Sequence, residues 1–133
     1  KMQFVFDVEI PPETPQDNPL VKTLRLEEGV IRAVHVVFPP GNCGLVHVRL
    51  LYGDTPIFPT NPEGWISGDG VDVGWEEFYE LVDWPYELKL IAWNEDEVFP
   101  HTVTIRITVL PKWMVLWMKA ISKLVELWEK VIG

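Results

Sequence analysis

Every second side chain near the start of the chain is apolar: Phe4, Phe6, Val8 and Ile10. Successive side chains of a β-strand point to opposite faces of the sheet, so these four share one face. The pattern predicts a strand with one face buried in a core.

The same alternation returns in several later segments, which lie at 20–27, 30–38, 45–52, 86–94 and 101–110. Turns rich in Gly and Pro separate them, and no helical pattern lies between them. Residues 76–83 fit either an edge strand or a single helical turn. Six or more short strands without interleaved helices predict an all-β fold, an antiparallel β-sandwich of jelly-roll or immunoglobulin-like type.

Segments 30–38 and 45–52 are joined by PPGNCG, so we expect them to pair as an antiparallel hairpin. Their inward faces would carry Val34, Val36 and Phe38 on one strand and Val46, Val48 and Leu50 on the other. The opposite face would then be too apolar for water, and it holds Ile31, Ala33, His35, Val37, Leu45, His47, Arg49 and Leu51. Such a face predicts an interface, with His35 and His47 close together across the two strands.

The last segment has a helical period, and it divides the chain into a sandwich domain at 1–111 and a helical tail at 112–133. Four of every seven tail positions are apolar: Trp113, Met114, Trp117, Met118, Ala120, Ile121, Leu124, Val125, Leu127, Trp128, Val131 and Ile132. This face is wider than a two-stranded coiled coil requires. It would pack on its own sandwich, on other copies of the chain, or on a membrane interface, for which Trp with Lys is a typical mixture.

The two parts of the chain differ in charge, and the net charge of the whole chain is −9. Residues 1–111 contain 7 basic and 18 acidic side chains, a net charge of −11, whereas the tail has 4 basic and 2 acidic ones. Nucleic-acid binding needs clustered Lys and Arg, so the acidic sandwich argues against it.

No catalytic pattern is present in the sequence: there is no GxSxG, no P-loop and no GxGxxG. His35, His47 and His101 lack the HxH or HExxH spacing of a zinc site, and the acidic loops lack the ligand spacing of an EF-hand. We therefore expect neither an enzyme nor a bound metal or cofactor.

Four tryptophans, Trp65, Trp75, Trp84 and Trp93, lie within one stretch of the predicted sandwich. Exposed indole rings can stack on sugar rings, which makes a carbohydrate- or surface-binding module an alternative function. Tryptophan is more often well buried, so most of the four are expected to anchor the core or its loops.

Three stretches carry a family resemblance: NPLVKTLRLEEGVIRAVHVVFPPGNCGL, PTNPEGWISGDG and WNEDEVFPHTVTIRITVLP. They resemble small β-sandwich proteins found among tailed-phage structural genes, over about residues 4–111 and not the tail. The resemblance implies a virion accessory role, such as capsid decoration, with a virion or cytoplasmic location and a capsid surface as partner. The resemblance includes no catalytic or ligand-binding motif, so it assigns no site residues.

Together these features predict a structural module that self-associates, with a trimer preferred because the apolar seam is wide. One attachment surface would be the apolar sheet face described above, including Ile31, Ala33, Val37, Leu45 and Leu51. The other would be the tail, through Met114, Trp117, Ile121, Leu124, Val125 and Trp128. A peripheral membrane protein anchored by the tail remains the third possibility.

Overall fold

The computed structural model describes residues 2–61, 63–81 and 83–133. These residues form eight β-strands and one α-helix: β1 Met2–Ile10, β2 Leu20–Arg25, β3 Gly29–Phe38, β4 Val46–Tyr52, β5 Thr55–Phe58, β6 Val71–Leu81, β7 Glu87–Asn94, β8 His101–Pro111 and α1 Lys112–Ile132.

The described strands build two four-stranded sheets, in the orders β1-β8-β3-β6 and β2-β7-β4-β5. The first strand pairs with the eighth, the second with the seventh, the third with the sixth and the fourth with the fifth, all antiparallel. Successive pairs alternate between the sheets, which is the arrangement of a long hairpin rolled into a jelly roll. The predicted antiparallel sandwich with a C-terminal helix is confirmed.

The core lies between the two sheets and is built by the inward faces that the alternation predicts. Val34, Val36 and Phe38 on β3 are fully buried, as are Leu88, Leu90 and Ala92 on β7. The strand β8 contributes Val103, Ile105, Ile107 and Val109, which are also fully buried. Hydrophobic side chains from both sheets therefore fill the sandwich, and the described residues place no charged side chain among the buried ones.

The predicted hairpin between β3 and β4 is wrong, because the two strands belong to different sheets. In the structure β3 pairs with β6 and β8, while β4 pairs with β5 and β7. The connection crosses from one sheet to the other, so the inward faces of β3 and β4 meet across the core. Side-by-side pairing and face-to-face packing require the same alternation, so the pattern alone cannot distinguish them.

A β-bulge in β3 changes the face on which Ile31 lies. The pairing register shifts between Ile31 and Ala33. A bulge places an extra residue in the strand, so alternation counted from Ala33 no longer holds beyond it. Ile31 is fully buried in the core, and its predicted place on the outer face is wrong.

Residues 76–83, which the sequence left open between a strand and a helical turn, include the end of β6, which runs to Leu81. It pairs with β3 on one side and forms an edge of its sheet. Residues 76–81 therefore belong to an edge strand and not to a helical turn, and residue 82 lies outside the described residues.

Asn94 closes one end of the sandwich, where β1 ends and β8 begins. Its side chain is 1% exposed, and its Nδ2 donates to the carbonyl oxygens of Ile10, Pro11 and Phe99, each at 3.2 Å. Its Oδ1 accepts a hydrogen bond from the backbone N–H of Asp96 at 2.9 Å. One buried amide therefore joins β1, β7 and the loop that leads into β8.

Replacing Asn94 with Leu should destabilise the sandwich strongly. The change leaves buried backbone groups without partners, and each such group costs about 1–3 kcal/mol. We expect the free energy of unfolding in urea to fall by about 3 kcal/mol. The exposed Asn18→Leu variant serves as the control and should change stability by less than about 0.5 kcal/mol. Equal stability of the two variants would contradict this role for Asn94.

Candidate functional site

The helix α1 follows β8 without an intervening loop. Pro111 is the last residue of the strand and Lys112 is the first residue of the helix. Proline has no backbone N–H to lose and cannot continue a regular ladder, so it suits this change of structure. The end of the strand therefore fixes the point at which the helix leaves the sandwich.

Few contacts hold the helix against the sandwich. Val115 is the buried helix residue, and it packs with Val30 and Leu110 beside Met114. The Nζ atom of Lys112 lies 3.1 Å from a carboxylate oxygen of Glu28. A second ion pair joins Lys119 to Glu80 at 3.0 Å. Both pairs are largely exposed, so each contributes at most about 1 kcal/mol.

The side of the helix that faces the sandwich is its polar side. At about 100° per residue, Val115 lies among the polar positions, next to Lys112 and Lys119. The apolar residues occupy an arc of roughly 200° that is centred on the opposite side. That arc points away from the body of the protein.

The exposure of individual side chains agrees with this orientation, since Trp128 is 63% exposed and Leu124 is 66% exposed. Eleven large apolar side chains of the helix are exposed: Trp113, Leu116, Trp117, Met118, Ile121, Leu124, Val125, Leu127, Trp128, Val131 and Ile132. Of the three partners that the sequence allows for this face, its own sandwich is the one that the structure contradicts, because the apolar side chains of the helix lie exposed on the side away from the body. No described helix is long and apolar enough to cross a membrane.

The second predicted surface, the apolar sheet face, is divided in the structure. Ala33, His35 and Val37 lie on the outside of the β1-β8-β3-β6 sheet. Leu45, His47 and Leu51 lie at or beside the outside of the other sheet, on or just before β4. With Ile31 in the core, the predicted continuous apolar face does not form.

His35 and His47 do not meet, because their strands lie in different sheets. Nδ1 of His35 lies 3.0 Å from Oδ1 of Asp72 on the neighbouring strand. Nε2 of His47 lies 2.7 Å from Oε2 of Glu95, and its ring stacks on Trp93 with centroids 4.1 Å apart. The predicted contact between the two histidines is wrong, and each has a separate carboxylate partner.

His101 has a carboxylate partner that is itself held in a turn. Its Nε2 lies 2.8 Å from Oδ2 of Asp96. The other carboxylate oxygen of Asp96 accepts hydrogen bonds from the backbone N–H groups of Val98 and Phe99 at 2.9 and 3.1 Å. The Val98 N–H, then His101, and then the Phe99 N–H hold the pKa of Asp96 below its usual range. The acidic run that contains Asp96 shows only that it lacks the ligand spacing of a calcium loop, and nothing in its local sequence indicates this hydrogen-bond network.

The part of the chain that the structure describes contains no candidate metal site. No group of three or more His, Cys, Asp or Glu side chains in these residues lies close enough to hold an ion. Zinc and calcium sites need three or more converging ligands, whereas each histidine here meets one carboxylate.

The four tryptophans considered for carbohydrate binding occupy three separate environments. Trp65 and Trp93 lie edge to face at 84°, and Trp65 also lies under the guanidinium of Arg49 at 5.2 Å. Trp75 packs against Phe58, with centroids 5.2 Å apart. Trp84 is 81% exposed. The four rings therefore do not form a single coplanar platform.

Comparison with known protein families and with curated proteins found no match to this sequence. Among solved structures, the crystal structure of the Yersinia pseudotuberculosis-derived mitogen (YPM) is similar, with 10% sequence identity and a TM-score of 0.42. The similarity covers 82% of this chain and 86% of that chain. A similarity of this size carries no information about activity.

The hydrogen bonds to Asp96 predict a pH dependence of stability. A carboxylate whose pKa is lowered by folding stabilises the folded state above its unfolded pKa, and this contribution is lost as the pH falls through the folded value. The stability difference between the wild-type chain and Asp96→Asn should therefore be largest near neutral pH and shrink below about pH 4. Urea unfolding at several pH values measures it, with the exposed Asp17→Asn variant as control. A difference that stays constant down to pH 2 would contradict the assignment.

Proposed function

We propose that this protein is a non-enzymatic assembly module that forms a homotrimer through its C-terminal helix. The observation that supports this most is the direction of the apolar arc of α1. It points away from the sandwich, and none of the residues that the structure describes covers it.

The size of this surface favours a partner. A helix of 21 residues is about 32 Å long, and eleven of its large apolar side chains are exposed. Monomeric proteins rarely leave a contiguous apolar patch larger than about 300–600 Å² in water. At about 25 cal/mol per Å², covering 400 Å² on each chain would contribute on the order of 10 kcal/mol before the entropy of association is subtracted.

The spacing of the apolar residues favours more than one neighbour for each helix. One seam runs through 113, 117, 120, 124, 127 and 131, and a second runs beside it through 114, 118, 121, 125, 128 and 132. Both advance by alternating steps of four and three residues, as in a coiled coil. Two adjacent seams allow one helix to pack against two others, and three copies are the smallest closed ring that uses both.

The charge distribution favours a second copy of the chain over a membrane. Residues 1–111 carry a net charge of −11, and a helix lying in a membrane interface would bring this body close to anionic headgroups. Lys112 and Lys119 are already paired with carboxylates of the body. Two helix lysines, Lys123 and Lys130, are then left to contact lipid headgroups. An interfacial helix typically has more lysines on its polar face than this.

The resemblance to tailed-phage β-sandwich proteins suggests where such a trimer would work. A trimeric accessory protein would sit on a capsid or a similar protein surface, and its location would be the virion. The proposal of a non-enzymatic role rests on the sequence, which contains no nucleophile motif, P-loop or dinucleotide-binding motif.

The test is the mass of the full chain in solution, measured by light scattering after gel filtration. We expect a species of three chains of 15.4 kDa. The double variant Ile121→Lys with Leu124→Lys places charge in both seams and should give a monomer. The control, Ser122→Lys, lies in the groove that faces Phe78 of the sandwich and should remain trimeric.

A monomeric wild-type chain at tens of micromolar would overturn the proposal. If that monomer also binds phosphatidylglycerol vesicles, and the double variant does not, then the apolar arc is a membrane anchor. A stable dimer or tetramer that the same variant dissociates would keep the helix as the interface and correct the number of copies.

A further inference from the structure

A second surface feature lies at the end of the sandwich where β4 turns into β5 and where β7 begins. It is a cleft of about 440 Å³, within the range of about 300–1,000 Å³ that small-molecule sites occupy. Six of its lining residues carry aromatic or charged side chains: Tyr52, Tyr79, Asp83, Trp84, Glu87 and Lys89.

Three aromatic side chains, Tyr52, Tyr79 and Trp84, line this cleft. Trp84 is 81% exposed, although tryptophan is highly buried on average. Tyr52 and Tyr79 lie edge to face, with ring centroids 5.7 Å apart. Partial burial, with a smaller contribution from Tyr52, raises the pKa of Tyr79 above its usual range. The cleft therefore offers flat apolar rings together with the phenolic hydroxyl of Tyr79.

The segment that carries Trp84 is held in place by a neighbouring residue. The hydroxyl of Tyr52 donates to the backbone oxygen of Asp83 at 3.0 Å and accepts from its backbone N–H at 3.3 Å. Trp84 follows directly, so its backbone is anchored beside the cleft. A site that is formed before its ligand arrives loses less entropy on binding.

The charged groups of the cleft indicate the chemical class of the ligand. Asp83 and Glu87 contribute two carboxylates, and Lys89 contributes one ammonium group. The excess of negative charge disfavours phosphates and other anions. Carboxylates accept hydrogen bonds from hydroxyl groups and an ammonium group donates them, so the lining suits a neutral ligand with many hydroxyls.

We propose that this cleft binds a neutral saccharide, with a sugar ring stacked on Trp84 and sugar hydroxyls bonded to Asp83, Glu87 and Lys89. The apolar face of a pyranose ring matches an exposed indole, and its hydroxyl rim matches the charged groups around it. Of the four tryptophans considered from the sequence, Trp84 is the one that is exposed and lines this cleft.

This inference is independent of the proposed trimer. Tyr79 lines the cleft, while the adjacent Glu80 binds Lys119 of the helix. Successive residues of a strand point to opposite faces, so the cleft and the helix lie on opposite sides of β6. A ligand in the cleft would leave the apolar arc of the helix uncovered.

Titration calorimetry of the full chain with soluble neutral oligosaccharides tests the proposal. The probes are maltotriose, cellotriose, mannotriose and tri-N-acetylchitotriose at millimolar concentration, because a monovalent sugar in solution reports each cleft separately from the oligomeric state. We expect at least one to bind, and Trp84→Ala to weaken that binding by about tenfold or more.

The matched control is Phe99→Ala, which removes another exposed aromatic ring, 63% exposed, in the loop at the opposite end of β7. It should bind the same sugar with unchanged affinity. Circular dichroism should show that both variants are folded, since neither ring is buried. The proposal fails if none of the four sugars binds the wild-type chain, or if Trp84→Ala and Phe99→Ala bind equally well.

Discussion

The direct junction of β8 and α1 at Pro111 is the constraint on which the surface of this protein depends. A helix on a flexible loop could rotate and lay its apolar arc on the nearest exposed surface. Here the strand determines where the helix starts, Val115 fits between Val30 and Leu110, and Lys112 and Lys119 find carboxylates on the body. Each contact is weak, but all three lie on one side of the helix and select the same rotation. The apolar arc is left facing outward as a consequence of that selection.

The two ends of the jelly roll differ in how they are closed. At one end the buried Asn94 bonds to three backbone carbonyls, and Asp96 fixes the loop that follows it. The other end carries the open cleft and, across β6 from it, the start of the helix. Buried polar groups with their hydrogen bonds satisfied make a backbone rigid, so the end tied by Asn94 is suited to stability. Both candidate functions lie at the other end, which carries the exposed Trp84 and the start of the helix.

The sequence predicts the faces of the strands better than it predicts their partners. A period of two assigns Val34, Val36 and Phe38 to the core whatever sheet they join, and all three are fully buried. The pairing of β3 with β6 and β8 depends on long-range topology, which local alternation does not contain. The bulge that buries Ile31 is likewise a property of the paired strands. The amphipathic tail was predictable from its period, but the side that faces the body follows from the junction with β8. The cleft could not be predicted, because Tyr52, Tyr79 and Trp84 come together only when β4 and β6 are placed in opposing sheets.

Charge limits how the proposed trimer can be arranged. Each sandwich carries −11, so three bodies close together repel one another over a Debye length of about 8 Å at physiological salt. Rotation about a threefold axis makes the helices parallel, which gathers the three bodies at the N-terminal end of the bundle. Repulsion is then reduced by splaying the bodies outward, while the helices remain packed through their two seams. In that arrangement the clefts lie on three bodies at one end of the assembly and the C-terminal ends of the helices lie at the other. A weak sugar site repeated three times on one side could engage a glycan-bearing surface with an affinity far above that of a single cleft.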